Sequence, residues 1–336
     1  MRYSFHQTDI PSFVKSLHLT SSQTPFDLDL SLSCGQIFGW KKTGDMWKGV
    51  HNGKIITIRQ ERDSLQYEGA DKREIIRFLG LHDPIQEIIT SIRDHIIVYN
   101  STPDPFFETQ YARSQGLRIL RQHPWECLVS FICSANSNIR TIEKRINLIL
   151  GRYGRACHTG EHQFPDPKTL SQCREDRLRE CLTGYRAPYL IKTAAYICNH
   201  PDFFEQVAMM EYTGAKKALM TLPGVGPKVA DCVLLFAFEH LSAVPVDIRI
   251  RTIIEKRYAD LIKTEKKGRL SYDTISGFCR EYFGPYAGYA QQYLFATRDM
   301  EKQRLPDLLN THTYKIRTGC SKRNRNYPGG DDLPDD

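Results

Sequence analysis

No apolar run in the 336 residues approaches the roughly 20 positions a membrane-spanning helix needs. The chain is also short of metal-ligand spacing. Its ten cysteines, Cys34, Cys127, Cys133, Cys157, Cys173, Cys181, Cys198, Cys232, Cys279 and Cys320, include no C-x-x-C pair. Zinc sites and iron–sulfur clusters draw on such tight spacings, so the thiols are expected to be reduced and mostly buried. Residues 1–13 mix charged and polar groups without the apolar stretch of a secretory signal. An intracellular protein without a membrane is expected: cytoplasmic and nucleoid-associated in a prokaryote, nuclear in a eukaryote. Strong charge of one sign is missing too. Forty-six basic against thirty-nine acidic residues leave +7 and a pI near 8.8. That suits a polyanion partner and an ordinary soluble surface alike.

What is present is enough apolar material for a core: 40% hydrophobic and 11% aromatic residues, as in ordinary soluble proteins. The first hundred residues read as sheet. Phe26, Leu28, Leu30 and Leu32 alternate at period two, and Asn52-Gly53 stands between apolar runs as a tight hairpin turn. Asp71-Lys72-Arg73-Glu74 has the form of a capping box, with Ile75, Ile76 and Leu79 as the buried face that follows. From about residue 101 the spacing becomes helical: Leu117, Leu120, Leu128, Ile132, Ile142, Ile146 and Ile149, punctuated by Pro124 and Gly151. Residues 177–198, 203–219 and 228–238 are further helical stretches. These patterns predict an α+β chain, with an N-terminal antiparallel sheet domain including helices (1–100) packed on an all-helical domain (101–317). The tail, 318–336, has almost no apolar residue and is expected to be disordered.

The chemically informative stretch is Leu219-Met220-Thr221-Leu222-Pro223-Gly224-Val225-Gly226-Pro227-Lys228-Val229-Ala230-Asp231-Cys232. One apolar helix ends, Gly224-Val225-Gly226 turns, and a second helix opens with Pro227 in its first turn, where a missing amide costs nothing. This is a helix-hairpin-helix. Gly224 and Gly226 leave backbone amides open at a helix N-terminus, a site suited to a DNA phosphate without regard to sequence. Lys228 starts the second helix, and Asp247 follows nineteen residues on, after Val244-Pro245-Val246. Taken alone, Lys228 could serve as a phosphate contact and Asp247 as a helix cap.

With Val-Pro-Val-Asp, the hairpin resembles the helix-hairpin-helix DNA glycosylases. Five further segments narrow the resemblance to the 8-oxoguanine DNA glycosylase/lyase branch: Ser33-Cys34-Gly35-Gln36-Ile37-Phe38, residues 115–122, residues 131–139, Gly184-Tyr185-Arg186-Ala187 and residues 284–291. The likeness spans about residues 25–300. It implies a bifunctional enzyme of base excision repair acting on duplex DNA that contains oxidised guanine. Lys228 matches the nucleophile that attacks C1′, displaces the base and forms a Schiff base that permits β-elimination. That step needs a neutral amine. Asp247 matches the aspartate whose charge stabilises the cationic sugar while it caps its helix.

The resemblance also implies base extrusion. Gly35 would offer its carbonyl to the N7 hydrogen of the lesion, Cys232 and Phe295 would sandwich the base, and Gln291 would read its Watson–Crick edge. Asn136 would fill the vacated stack, Tyr185 wedge beside the orphaned base, and Arg186 read the opposite cytosine. Gly224, Gly226 and Arg249 would meet the DNA backbone. Four departures bear on opposite-base selectivity and phosphate contacts. The usual Asn-Asn-Asn is Asn136-Ser137-Asn138; Arg249 replaces a histidine and Arg298 an acid found in well-known eukaryotic members; Arg140 stands one place from a second base-reading arginine. No cofactor or iron–sulfur cluster is expected, although a structural monovalent or divalent cation at the hairpin fits the family, and a monomer is expected. Two rivals stay open: a same-fold glycosylase for another damaged base, and a helix-hairpin-helix protein that binds DNA without catalysis.

Overall fold

The computed structural model describes residues 15–157, 160–262 and 269–296. The tail expected beyond residue 317 lies outside the described residues. Five strands, β1 (Lys15–His18), β2 (Lys41–Thr43), β3 (Met46–His51), β4 (Lys54–Glu61) and β5 (Ser64–Glu68), form one antiparallel sheet in the order β1-β5-β4-β3-β2. The β3–β4 hairpin turns at Asn52 and Gly53, both at positive φ (51° and 68°), which Asn-Gly tolerates and the strand twist favours. Trp47, Ile56, Ile58, Leu65 and Tyr67 point to one face and build a core there.

The period-two reading of residues 26–32 is overturned. Leu28–Ser33 is a helix, α1, whose N-cap Asp27 accepts the Leu30 amide at 2.8 Å. An alternating pattern also contains an i,i+4 pair, and here Leu28 and Leu32 use it to enter the sheet core. The cap decides between the two periods. Helix α2 (Lys72–Phe78) has the expected capping box, with Asp71 and Glu74 exchanging bonds.

Helices α3 (Ile85–Asn100), α4 (Pro105–Arg113), α5 (Pro124–Ser134) and α6 (Ile139–Tyr153) follow. The Ile85, Ile88, Ile89, Ile92 and Ile96 face of α3 packs into the helical core rather than the sheet core. Next come α7 (Pro167–Ser171) and α8 (Glu175–Leu178), then α9 (Ala187–Asn199), α10 (Phe203–Ala208) and α11 (Tyr212–Met220). The continuous helix expected over 177–198 is interrupted. Leu182 takes φ +61° and Gly184 φ +56°, so the chain passes through a five-residue π segment and a 3-10 turn before α9. The stretch 203–219 is likewise two helices, because Glu211 caps α11 through the Thr213 and Gly214 amides. Helices α12 (Pro227–Ala237), α13 (Ile248–Arg257), α14 (Tyr272–Phe283) and α15 (Ala287–Ala296) complete the fold. Among the described residues, no helix is long and apolar enough to cross a membrane.

Residues 117–122 strap the two cores together. Gln36, buried, donates to the carbonyls of Ser31 and Arg118 (both 2.8 Å) and accepts the Leu120 amide (3.0 Å). Arg121 forms a buried two-pronged pair with Asp83 (2.8 and 2.7 Å), and Tyr289 of α15 donates to the same carboxylate. The hairpin turn also docks on α5, where the Gly53 amide donates to Glu126 at 3.1 Å.

Burial pushes the Glu126 carboxyl up to about 7, against the pull of the Gly53 and Asn52 amides. An acid raised in the folded state contributes stability below its unfolded value, and that contribution is lost as pH rises through the folded value. Glu126→Gln keeps the acceptor and removes the ionisation. The variant should therefore gain more melting temperature relative to wild type at pH 8 than at pH 5; an equal difference at both would contradict the buried-acid account.

Candidate active site and DNA-facing loops

The hairpin turn is held from beneath. Leu222 and Val225 are buried, and the Pro223 carbonyl accepts from Thr193 at 2.9 Å. Gly224 is at φ +82°, and a Cβ there would lie 2.8 Å from the Cβ of Tyr189, so both backbone and space require glycine. Gly226 caps α12 in extended conformation, and a Cβ there would meet nothing within 4 Å. The space beside the start of α12 is therefore open, and a helix N-terminus with room beside it suits an anion. Among the described residues, no group of three or more His, Cys, Asp or Glu could hold a metal ion.

Lys228 lies one helical turn before Cys232 and is half-buried. Its Nζ donates to Ser134 Oγ at 2.9 Å and sits 5.0 Å from the Phe131 ring centre. Ser134 in turn donates to the Phe131 carbonyl at 2.7 Å, which fixes the hydroxyl and with it the amine. Asp247 is the N-cap of α13, accepting the Ile250 amide at 2.8 Å on one oxygen. Burial pushes the Cys232 thiol up to about 12, with the Lys228 charge opposing and those of Asp231 and Asp247 adding to the rise.

Asp231 lies between Lys228 and Cys232 in the hairpin motif, and its spacing assigns it no role. It is fully buried and accepts three bonds: from Tyr212 (2.8 Å), Lys216 (2.9 Å) and Tyr272 (2.6 Å). The Tyr272 hydroxyl also accepts the Val246 amide at 3.3 Å. This chain of bonds ties the start of α12, which bears Lys228, to the residue before Asp247. Burial lifts the Asp231 carboxyl above the ordinary carboxylate range, while Lys216 and the two phenols pull it back.

Gly35, Phe295 and Arg249 come together at a second spot. Gly35 has φ +89°, and a Cβ there would lie 2.8 Å from Ile139 and 3.7 Å from Phe295. Its neighbour's carbonyl, Gln36 O, accepts from the Gln122 side chain at 2.5 Å, while the Gln122 amide donates to Phe236 of α12 at 2.7 Å. Gln122 so couples the Gly35 turn to the helix of Lys228. The Arg249 guanidinium lies 5.6 Å from the Phe295 ring centre. Gln291 is buried, its side-chain oxygen accepting from Gln292 at 2.7 Å.

Asn136 and Tyr185 form an exposed tip. Asn136, at φ +48°, donates to the Tyr185 hydroxyl at 3.2 Å. Leu182 is exposed beside them, an apolar residue that sequence reasoning passed over; its place inside an expected helix hid it. Arg186 differs from its expected posture. It is buried, stacks under Tyr185 at 4.3 Å, and donates to the Ala135 carbonyl and Ser137 hydroxyl.

Removing one partner from a buried ion pair strands the other. Asp231→Asn leaves the Lys216 ammonium, 14% exposed, without its counter-charge, and should cost roughly 3 kcal/mol of stability in denaturant melts. A loss below about 1 kcal/mol, the scale of an exposed pair, would contradict the network's importance.

Comparison with known proteins agrees with this geometry. Residues 18–128 match the 8-oxoguanine DNA glycosylase N-terminal domain, and residues 129–272 match the HhH-GPD superfamily of base excision DNA repair proteins. The chain is 31% identical to the N-glycosylase/DNA lyase OGG1 of Arabidopsis thaliana, over 88% of this chain and 82% of the relative. It is 36% identical to a probable N-glycosylase/DNA lyase of Methanothermobacter thermautotrophicus, over 72% of this chain and 78% of the relative. The solved Clostridium acetobutylicum 8-oxoguanine glycosylase/lyase, in complex with DNA containing cytosine opposite 8-oxoguanine, superposes with a TM-score of 0.73 at 30% identity, covering 82% of this chain and 93% of that one. With both halves matched in order and the two folds superposing, this chain belongs to the 8-oxoguanine DNA glycosylase/lyase family of the HhH-GPD superfamily.

Proposed function

We infer that the protein is a bifunctional DNA glycosylase and AP lyase that excises 8-oxoguanine from duplex DNA in base excision repair. The observation that carries this is the half-buried Lys228 amine at the start of α12, tied through Asp231 and Tyr272 to the backbone beside Asp247. A DNA-binding hairpin alone needs its glycine turn but not that pair.

In the reaction, the nitrogen lone pair of Lys228 bonds to C1′ as the glycosidic bond breaks, and the bonding electrons leave with the base, which takes up a proton. Loss of a proton from nitrogen and opening of the sugar give the Schiff base. Removal of a C2′ proton then expels the 3′ phosphate. The Asp247 carboxylate, one oxygen committed to the Ile250 amide, keeps acceptor capacity and negative charge for the cationic sugar. An amine nucleophile needs no Lewis acid, so a cation at the hairpin would serve the DNA backbone contact and not the chemistry.

Recognition rests on the Gly35 turn, where the absent side chain lets the base approach between Cys232 and Phe295. A Gly35 carbonyl facing N7 gains a bond from the lesion and meets a lone pair in normal guanine, worth roughly 1–3 kcal/mol. The cost of extrusion and the fit between Cys232 and Phe295 add to that discrimination.

The test is Lys228→Gln, assayed on a duplex with 8-oxoguanine opposite cytosine. Excision and borohydride cross-linking should vanish while DNA affinity is retained, because the amides around Gly224 and Gly226 remain. A variant that still forms the covalent complex would overturn the role of Lys228.

A further inference from the structure

Arg145, on α6, is almost completely buried and bonds to three places at once. Its Nε donates to the Leu182 carbonyl at 2.7 Å, and Nη1 donates to the Cys133 carbonyl and, at 3.2 Å, to Ser137 Oγ. Arg186 reaches the same hydroxyl from the other side, at 3.2 Å. Ser137 completes its own bonding by donating to the Ala135 carbonyl at 3.3 Å, so its one proton and both lone pairs are used. Among the described residues, neither guanidinium has a carboxylate partner. Burial and the neighbouring Arg186 charge lower Arg145 from the usual arginine range. Two like charges are thus held together where carbonyls, not acids, receive them.

The three acceptors of Arg145 flank the exposed tip. Cys133 and Ser137 bracket Asn136, and Leu182 precedes Gly184 and Tyr185. Asn136 at φ +48° and Leu182 at φ +61° are both in a backbone region that costs free energy unless the surroundings hold it. Arg186, if it is to reach an orphaned base, must release Ala135 and Ser137. Arg145 would then still join the two loops from beneath, through its bonds to Cys133, Ser137 and Leu182, while the Asn136–Tyr185 bond joins them at the exposed tip.

We propose that Arg145 is a positioning residue for strand penetration: it locks the Asn136 loop to the Leu182–Tyr185 ridge as one preformed wedge, leaving Arg186 free to turn toward the opposite base. Serine in place of the family's middle asparagine fits this role, since its short hydroxyl is the acceptor that both guanidiniums share. The inference rests on the excision activity inferred above and deepens it.

The experiment compares two single-turnover steps in wild type, Arg145→Gln and Arg145→Lys. One is excision of 8-oxoguanine opposite cytosine; the other is β-elimination at a preformed abasic site, where no base has to leave the stack. Arg145→Gln should slow excision by about tenfold or more, the range a displaced positioning group costs, while β-elimination stays within about twofold. Arg145→Lys should recover part of the excision rate. Unchanged excision would overturn the proposal, and so would equal losses in both steps, which mark a purely structural role. Should Arg145→Gln fail to fold, Ser137→Ala makes the same comparison with both arginines present: a selective loss of excision supports the lock, and its absence overturns it. A wild-type protein unable to excise 8-oxoguanine would instead overturn the function itself.

Discussion

Three elements that frame the chemistry, α11, α12 and α14, meet at the carboxylate of Asp231, which receives one ammonium and two phenol hydroxyls inside the protein. A buried carboxylate is costly unless its lone pairs are filled, so these partners are held where they are. The consequence reaches the site in two directions. Along α12, Asp231 lies three residues after Lys228 and directly before Cys232. Through Tyr272, it reaches the Val246 amide and so the residue preceding Asp247. The Lys228 amine and the Asp247 carboxylate, nineteen residues apart in sequence, are thereby registered against each other.

A second constraint brings the lesion pocket to that pair. The Gly35 turn belongs to the sheet half, yet it is held by the 117–122 strap and Gln122, whose backbone bonds to Phe236 of α12. Gln36 fills its amide with three backbone partners at the same place. The Gly35 turn and the helix of Lys228 therefore sit on opposite sides of one hydrogen-bonded seam.

Local chemistry made parts of this legible in the sequence. Asn52-Gly53, the Asp71–Glu74 box and the Asp247 cap are each written in two to four adjacent residues, and all three form. The hairpin glycines were equally plain. Residues 26–32 misled because their leucines satisfy both periods, and only the cap at Asp27 separates helix from strand. The break at residues 179–186 was hidden because a leucine, not a glycine, takes the first left-handed position. Asp231, Gln122 and Arg145 were invisible for a different reason: their partners are 15 to 114 residues away or on another element, and no spacing announces a tertiary hydrogen bond. Arg186 was recognisable as a residue but not in its inward posture, which the Ala135 and Thr183 carbonyls and the Ser137 hydroxyl hold together.

The account's central claim is that one amine, held by Ser134 at the start of α12, attacks the sugar beneath an extruded oxidised guanine. Borohydride reduction of the wild-type protein on a duplex containing 8-oxoguanine opposite cytosine, followed by peptide mapping of the adduct, tests it most directly. The account predicts a single adduct on the peptide carrying Lys228 and none on the undamaged duplex. An adduct on another lysine, or equal trapping on undamaged DNA, would contradict it.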